Sequence, residues 1–122
     1  AHEMGHHAQQ ELGTDDRVRQ LVEDNPDDAN ALSVRQELQA DCYAGVWAQR
    51  AYRQGALEEG DLEEGLTAAS AVGDDRLQQQ ATGRISPDTF THGSSEQRVR
   101  WFTNGYDSGN VERCDTFGTD EL

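Results

Sequence analysis

The amino-acid sequence predicts a mostly α-helical fold, and three observations carry that prediction. Between residues 29 and 54, apolar side chains recur every three or four positions, which is the period of an α-helix. Glycines follow helical stretches at Gly13, Gly55 and Gly105, and glycine is the residue most often found just past a helix. No stretch shows the apolar and polar alternation that is typical of a half-buried strand.

The first predicted helix runs from the N-terminus to about Leu12 and begins with the motif H-E-x-x-H. His2 and His6 are four residues apart, so both imidazoles lie on one helical face and can bind one ion. Glu3 follows the first histidine and can take a proton from a metal-bound water, which predicts a catalytic zinc site. His7 points about 100° away around the helix and is expected at the surface. The alternative is an exposed, histidine-rich helix start.

A long helix is predicted from Ala29 to Gln54, after a polar region that contains a turn at residues 25–28. Before that turn, the acidic pair Asp15-Asp16 is expected to cap a short helix around residues 17–23. The long helix covers roughly 39 Å at about 1.5 Å per residue, enough to cross the domain. Its apolar stripe consists of Val34, Leu38, Cys42, Gly45, Ala48 and Tyr52.

Two carboxylates, Glu37 and Asp41, lie one turn apart beside that stripe. Small apolar residues continue the same face, so burying the two acids would be costly unless they are paired or bound to metal. The alternative is a solvated acidic edge. An exposed face is already expected from the other polar side chains of the helix, namely Arg35, Gln39, Gln49, Arg50 and Arg53.

Three further helices are predicted in the second half of the chain. Asp61 is expected to cap a helix over residues 62–72, and a short helix should follow Gly73 and continue to Gln80. Residues 83–92 should form a loop, after which Ser94 or Ser95 caps a last helix that ends near Asn104. Residues 106–122 form a Gly- and Asp-rich tail whose evident anchors are Cys114 and Phe117.

Composition indicates one domain with a thin core and an acidic surface. The chain has 122 residues, 10 basic residues that are all arginine, 24 acidic residues and a formal charge of −14. This charge argues against nucleic acid or an anionic membrane as a partner. The sequence contains no signal peptide and no long apolar run. Because it begins one residue before a predicted metal ligand, we expect it to be a fragment of a longer protein.

Cys42 and Cys114 are the only cysteines of the sequence. Their number alone leaves three alternatives: a disulfide, two free thiols, or metal ligands. The chain has no C-x-x-C spacing, which argues against a zinc site built from cysteines.

Three stretches together resemble the bacterial neutral zinc metallopeptidases, a gluzincin-like family. These stretches are His2-Glu3-Met4-Gly5-His6-His7, the segment from Glu37 to Trp47 (ELQADCYAGVW), and the segment from Thr91 to Val99 (THGSSEQRV). The resemblance covers nearly the whole chain but only the C-terminal part of a family member. It implies a zincin-like helical core formed by the H-E-x-x-H helix and the long E-x-x-x-D helix. It also implies that an N-terminal edge-strand region and an upstream membrane anchor are missing here, and that the domain is extracytoplasmic.

The resemblance also assigns roles to individual residues. Glu37 becomes the third ligand of one Zn²⁺, beside His2 and His6, and leaves the fourth position to water. Asp41 would hydrogen-bond a ligand imidazole and fix its tautomer. His92 would donate to the oxyanion of the tetrahedral intermediate, while Arg98 would position that oxyanion or bind substrate.

The implied activity is zinc-dependent hydrolysis of a peptide or protein substrate, with Glu3 as general base. A non-catalytic, zinc-stabilised binding or regulatory module is the alternative, and Glu3 argues against it because a structural site does not need this carboxylate. Hydrolysis of a substrate other than a peptide is a second enzymatic alternative. The resemblance finally favours a Cys42–Cys114 disulfide, since disulfides persist outside the cytoplasm; two unpaired thiols remain the alternative.

Overall fold

Six α-helices make up most of residues 2–122, the part of the chain that the computed structural model describes. They are α1 (His2–Glu11), α2 (Thr14–Asp24), α3 (Ala29–Arg53), α4 (Glu59–Ala71), α5 (Asp74–Thr82) and α6 (Ser95–Ser108). Three short 3₁₀ turns at Pro26–Asp28, Pro87–Thr89 and Val111–Cys114 complete the secondary structure. The described residues contain no strand, which confirms the mostly α-helical prediction. Ala1, the first residue of the first predicted helix, lies outside the described residues.

The long helix α3 is the centre of the molecule, and α1 and α6 pack against it. This helix supplies most of the buried apolar residues, and Leu38 and Cys42 of its apolar stripe are fully buried. Burying a Leu side chain stabilises a fold by roughly 1.5–3 kcal/mol. The predicted stripe is wrong only at Tyr52, which lies in the last turn of α3 and is 44% exposed. The core cluster consists of Val34, Leu38, Cys42, Val46, Phe90, Trp101 and Cys114.

Gly105, predicted to end the last helix, instead lies inside α6 at its crossing with α3. A Cβ atom there would lie 2.8 Å from the carbonyl carbon of Cys42, so only glycine permits this close approach. The helix ends at Gly109, whose φ of 59° is left-handed. The prediction was wrong because a glycine can either end a helix or allow two helix backbones to approach closely. Gly105 does the second.

The other glycine stops are confirmed, whereas two predicted caps are wrong. Gly13 and Gly55 both have φ of 77° and follow α1 and α3. The pair Asp15-Asp16 lies in the first turn of α2, whose N-cap is Gly13. Asp61 lies inside α4, where its carboxylate accepts the backbone N–H of Glu58 at 3.0 Å. In both places the acids stand within the first helical turn, where the helix dipole favours negative charge.

The polar face of α3 that was expected to be exposed is partly covered by the C-terminal segment, residues 109–122. Gln39 is only 6% exposed and donates to the carbonyl of Cys114 at 3.1 Å. Arg35 donates to the carbonyl oxygens of Thr116 and Thr119. Arg50 and Arg53 are exposed as predicted. These two long side chains lie beyond the part of α3 that the segment covers.

A disulfide joins Cys42 of α3 to Cys114, with an S–S distance of 2.04 Å. This confirms the disulfide prediction over two free thiols, and both cysteines are fully buried. The predicted tail of residues 106–122 begins inside α6, which continues to Ser108. None of the helices in residues 2–122 combines the length and the apolar character that crossing a membrane requires.

Candidate metal centre

Donor atoms of three side chains converge where α1 crosses α3. The carboxylate oxygen Oε2 of Glu37 lies 2.9 Å from Nε2 of His2 and 3.2 Å from Nε2 of His6. The two imidazole rings stand edge to face, with centroids 4.5 Å apart. Each of the three residues can offer a ligand atom within 4.8 Å of the others. The structure therefore brings together the three predicted ligands, although Glu37 lies 31 residues after His6 in the sequence.

The geometry of these donors fits a zinc ion. Tetrahedral zinc with bonds of roughly 2.0–2.2 Å needs its ligand atoms about 3.3 Å apart. The distances of 2.9 and 3.2 Å from Glu37 to the two imidazoles lie within a few tenths of an ångström of that value. Two nitrogen donors and one carboxylate leave a fourth position open, which is the ligand set of catalytic rather than structural zinc sites.

Asp41 holds the imidazole of His2 in one tautomer. Its Oδ1 atom lies 2.8 Å from Nδ1 of His2, and a carboxylate can only accept, so Nδ1 carries the proton. The nitrogen that faces Glu37 is therefore Nε2. Asp41 is only 5% exposed, and this hydrogen bond is the one that the resemblance implied for it.

Arg98 lies on the far side of Asp41 rather than at an open surface. Its Nε donates to Oδ2 of Asp41 at 2.8 Å and its Nη2 donates to Oδ1 at 3.1 Å. The residue is 8% exposed and its guanidinium is engaged with Asp41, while its expected role toward substrate or oxyanion stays a prediction. The bidentate pair compensates the buried charge of Asp41 and so holds its carboxylate in position beside His2.

Two carboxylates raise the pKa of His2 from 6.5 to about 9, first through the hydrogen bond with Asp41 and second through that with Glu37. Burial opposes ionisation of Glu37 most strongly. The hydrogen bond from His2 and the charges of His6, His2 and His92 outweigh that burial, so the pKa of Glu37 is lowered. Glu37 is therefore held in its ionised form, the form in which a carboxylate can bind a cation.

Glu3 and His7 are both exposed residues of α1. Glu3 adjoins His2 in sequence, as the H-E-x-x-H motif requires, and its carboxylate is accessible to solvent. His7 lies 3.9 Å from Glu11 on the helix surface and is not among the three converging residues. The surface position predicted for His7 is confirmed.

Asp74, at the start of α5, organises the loop that carries His92. One carboxylate oxygen of Asp74 accepts the backbone N–H groups of Thr91, His92 and Gly93 at 2.8, 2.7 and 3.0 Å. The other oxygen lies 3.6 Å from Nδ1 of His92. The side chain of His92 is half exposed, and its charge contributes to the lowered pKa of Glu37. His92 therefore influences Glu37 electrostatically, from a loop whose conformation Asp74 holds.

Sequence reasoning missed two residues that support this centre. It gave no role to Asp74, although the resemblance to the family covers nearly the whole chain, Gly73-Asp74-Asp75-Arg76 included. It also missed Gln9, a fully buried residue whose Oε1 lies 2.9 Å from Nδ1 of His6. The only signal for Gln9 is its position one helical turn after His6.

Comparison with known proteins places the chain in a family. A family model described as "Putative neutral zinc metallopeptidase" matches residues 1–117. The uncharacterized protein YpfJ of Escherichia coli K12 is 59% identical over 119 residues, which are 97% of this chain and 42% of YpfJ. The uncharacterized protein Rv2575 of Mycobacterium tuberculosis H37Rv is 48% identical over 132 aligned positions, covering 100% of this chain and 44% of Rv2575. The chain thus spans less than half the length of these relatives. No solved structure matches it.

Proposed function

The chain belongs to the neutral zinc metallopeptidase family, and from that membership we propose that it hydrolyses peptide bonds with one zinc ion held by His2, His6 and Glu37. One observation carries the proposal: the Nε2 atoms of both histidines meet the same carboxylate oxygen of Glu37, at 2.9 and 3.2 Å. The exposed carboxylate of Glu3 follows the first of these histidines directly. A ligand set with an adjacent free carboxylate is the arrangement of a hydrolytic site.

Zinc bound there would supply a Lewis acid that polarises a carbonyl group and acidifies water. Glu3 acts as the general base, which takes a proton from the attacking water and passes it to the leaving amine. His92, on the loop that Asp74 holds, donates a hydrogen bond to the oxygen on which negative charge develops. Its half-exposed position leaves its imidazole accessible to a substrate.

Asp41 and Arg98 serve this chemistry without touching the substrate. Asp41 accepts the Nδ1 proton of His2 at 2.8 Å and so presents Nε2 as the ligand atom. Arg98 fixes the position of Asp41 through two hydrogen bonds. Such supporting partners usually change metal affinity or activity 10–100-fold when they are lost.

The substrate is a peptide or a protein, and the domain functions outside the cytoplasm. The compartment is supported by the buried Cys42–Cys114 disulfide, because structural disulfides persist in oxidising surroundings. The net charge of −14 makes an acidic surface that repels nucleic acid.

The experiment compares Glu3→Gln and Glu37→Ala with Glu11→Gln, a control that changes an exposed glutamate of the same helix. Zinc content and turnover of a library of internally quenched peptides are measured for each variant. Glu3→Gln should keep its zinc and lose turnover by a factor of about 10²–10⁴, because an amide cannot accept the proton of water. Glu37→Ala should lose most of its zinc, and Glu11→Gln should behave as wild type.

Two outcomes would contradict the proposal. Undiminished turnover in Glu3→Gln would remove Glu3 as the base, and full zinc occupancy in Glu37→Ala would remove Glu37 as a ligand. A full-length protein that binds zinc but cleaves no peptide in the library would favour the non-catalytic zinc module instead.

A further inference from the structure

We propose that Gln9 is a positioning residue of the metal centre, the end of a relay of two buried amides that holds His6 with its proton on Nδ1. The inference deepens the proposed function, since it rests on His6 binding zinc through Nε2. Gln9 lies on α1 with no exposed surface, and Gln39 lies on α3 with 6% of its surface exposed. Neither residue belongs to the three-residue ligand cluster.

The relay begins at two backbone carbonyl groups. Gln39 Nε2 donates to the carbonyl of Cys114 at 3.1 Å, which leaves Gln39 Oε1 as an acceptor. Gln9 Nε2 donates to that Oε1 at 2.9 Å and to the carbonyl of Gln36 at 2.7 Å. Gln9 Oε1 then lies 2.9 Å from Nδ1 of His6.

The direction of every hydrogen bond in this relay follows from the two carbonyl groups. A backbone carbonyl oxygen can only accept, so an amide NH₂ group must face Cys114 and another must face Gln36. Turning either amide over would bring two acceptors together inside the core, where an unpaired polar group costs about 1–3 kcal/mol. Gln9 consequently presents oxygen to His6, and Nδ1 of His6 must supply the proton.

The consequence for the metal centre is that both ligand imidazoles have the same tautomer. Asp41 accepts from Nδ1 of His2 at 2.8 Å, and Gln9 accepts from Nδ1 of His6 at 2.9 Å. Both Nε2 atoms then face Glu37. The acceptor differs in charge, however: a carboxylate paired with Arg98 supports one histidine, and a neutral amide supports the other.

A neutral acceptor is the appropriate one for His6 because the ligand set already carries enough negative charge. Glu37 and Asp41 together contribute two carboxylates. Among the arginines of residues 2–122, Arg98 alone donates a hydrogen bond to either of them. A third carboxylate at position 9 would face the carbonyl of Gln36 and Oε1 of Gln39 without a donor. An amide satisfies all three neighbours at once, and it leaves no buried polar side-chain atom without a partner among the described residues.

The test uses Gln9→Met, which keeps the volume and removes both the acceptor and the donor. The control is Gln10→Met, the neighbouring exposed glutamine of α1. Zinc dissociation constants are measured by competition with a chelator at pH 7. Gln9→Met should raise the constant 10–100-fold, the usual effect of losing such a partner, and Gln10→Met should leave it unchanged. An unchanged constant in folded Gln9→Met would overturn the proposal.

A measurement on the wild-type chain makes the test independent of how well the variant folds. Long-range ¹⁵N–¹H correlation spectra report which nitrogen of His6 carries the proton, with zinc and without it. A protonated Nδ1 in both states is expected. An imidazole of His6 that lacks the Nδ1 proton, or that binds zinc through Nδ1, would contradict the relay.

These measurements also distinguish the proposed role of Gln9 from the proposed peptidase activity. A full-length protein that cleaves no peptide but loses zinc affinity in Gln9→Met would support the role of Gln9 and remove the proposed activity. An active chain whose zinc affinity does not change in Gln9→Met would keep the activity and remove the role of Gln9.

Discussion

At the scale of single residues, a proton and the proposed zinc ion would compete for one atom, Nε2 of His2. This imidazole lies between Asp41 at 2.8 Å and Glu37 at 2.9 Å, and both carboxylates favour its charged form. Its pKa is raised to about 9 for that reason. Zinc would need the unprotonated Nε2, so its binding at neutral pH would displace a proton from His2.

The first prediction concerns the pH dependence of stability in the metal-free chain. A pKa that is higher in the folded state than in the unfolded state means that protonated His2 stabilises the fold. This stabilisation is complete below about pH 6.5 and is lost as pH rises through about 9. Urea unfolding in the presence of EDTA should therefore show the free energy of unfolding falling by up to about 3 kcal/mol across that window.

His2→Ala is the matched control for this prediction. It removes the titrating group, so its free energy of unfolding should be lower at pH 6.5 and should change little up to pH 9. Equal slopes for wild type and His2→Ala between those pH values would show that another group is responsible.

The sequence predicts some residues of the centre much better than others. The reason is that some belong to a local motif, whereas others depend on elements that are distant in the sequence. His2, Glu3 and His6 form a local motif, because helical spacing alone brings two imidazoles to one face. The prediction of Glu37 as a ligand needed the resemblance to a known motif, in addition to the presence of Asp41 one helical turn later. Gln9 was missed because a glutamine is buried only when another element covers it, and no local pattern reveals that element.

At the scale of elements, the metal centre depends on the crossing of α1 and α3. Gly5 lies between His2 and His6 and is buried against Ala40 of the opposite helix. A Cβ atom at Gly5 would lie 2.9 Å from both the Cα and the carbonyl carbon of Ala40. Backbone atoms cannot rotate away as a side chain can, so the two helices would have to separate.

The second prediction is that Gly5→Ala destabilises the chain and weakens zinc binding together. Overpacking a tight contact costs about 1–3 kcal/mol, and here it also moves His2 and His6 away from Glu37. Gly65→Ala is the control, since that helical glycine has nothing within 4 Å of its added Cβ. It should stabilise α4 by up to about 1 kcal/mol and leave zinc affinity unchanged. Wild-type stability and affinity in Gly5→Ala would refute the close crossing.

The third prediction concerns the loop between α5 and α6. His92→Ala should lower kcat about 10²–10³-fold and change KM little, because a donor to a developing oxyanion acts mainly in the transition state. Asp74→Asn should lower kcat in the same direction, since the neutral amide holds the three backbone N–H groups of the loop less strongly. Peptide kinetics and zinc content together test this.

The exposed residue Asp88 provides the control for that loop. Asp88→Asn removes the same charge at a position whose carboxylate does not bind the loop around His92, so its kinetics should match wild type. If His92→Ala changed only KM, His92 would bind substrate rather than stabilise the transition state. If Asp74→Asn lost its zinc, the loop would support the metal rather than the oxyanion.

Helix positions were predicted closely where local signals decide them and poorly where packing decides them. The bounds of α1 and α3 follow from Gly13 and Gly55, whose left-handed φ values are local properties of the chain. The end of α6 was predicted four residues too early, because Gly105 packs against α3 and Gly109 is the actual stop. The same limitation explains Gln39, whose burial depends on the C-terminal segment.

At the scale of the whole molecule, a small apolar core is supplemented by covalent and polar ties. The core cluster contains only seven buried residues, while the surface carries a net charge of −14 that repels itself. Residues 109–122 contribute Cys114 to that core, and Leu122 packs against it. The segment is also held by the disulfide, by Arg35 and by the indole of Trp101, which donates to the carbonyl of Leu122 at 3.2 Å.

The last prediction is that the disulfide supports both the fold and the metal centre. The Cys42–Cys114 bond joins residues 72 positions apart, and closing such a loop stabilises a chain by about 4 kcal/mol in the loop-entropy model. Because a domain of this size has only about 5–15 kcal/mol in total, the loss is large. Cys42→Ala/Cys114→Ala should therefore unfold at a much lower urea concentration than wild type.

The same double variant should also bind zinc more weakly under conditions where it is still folded. Cys114 is the residue whose carbonyl accepts from Gln39, so releasing the C-terminal segment frees the amide relay that ends at His6. Wild type treated with a phosphine reductant should approach the variant in both measurements, whereas the variant itself should not respond to the reductant. Thiol alkylation with mass spectrometry confirms the redox state of each sample. If reduced wild type kept its unfolding midpoint but lost zinc affinity, the disulfide would act on the metal centre alone. If the midpoint fell while zinc affinity stayed constant, the C-terminal segment would stabilise the fold without supporting the centre.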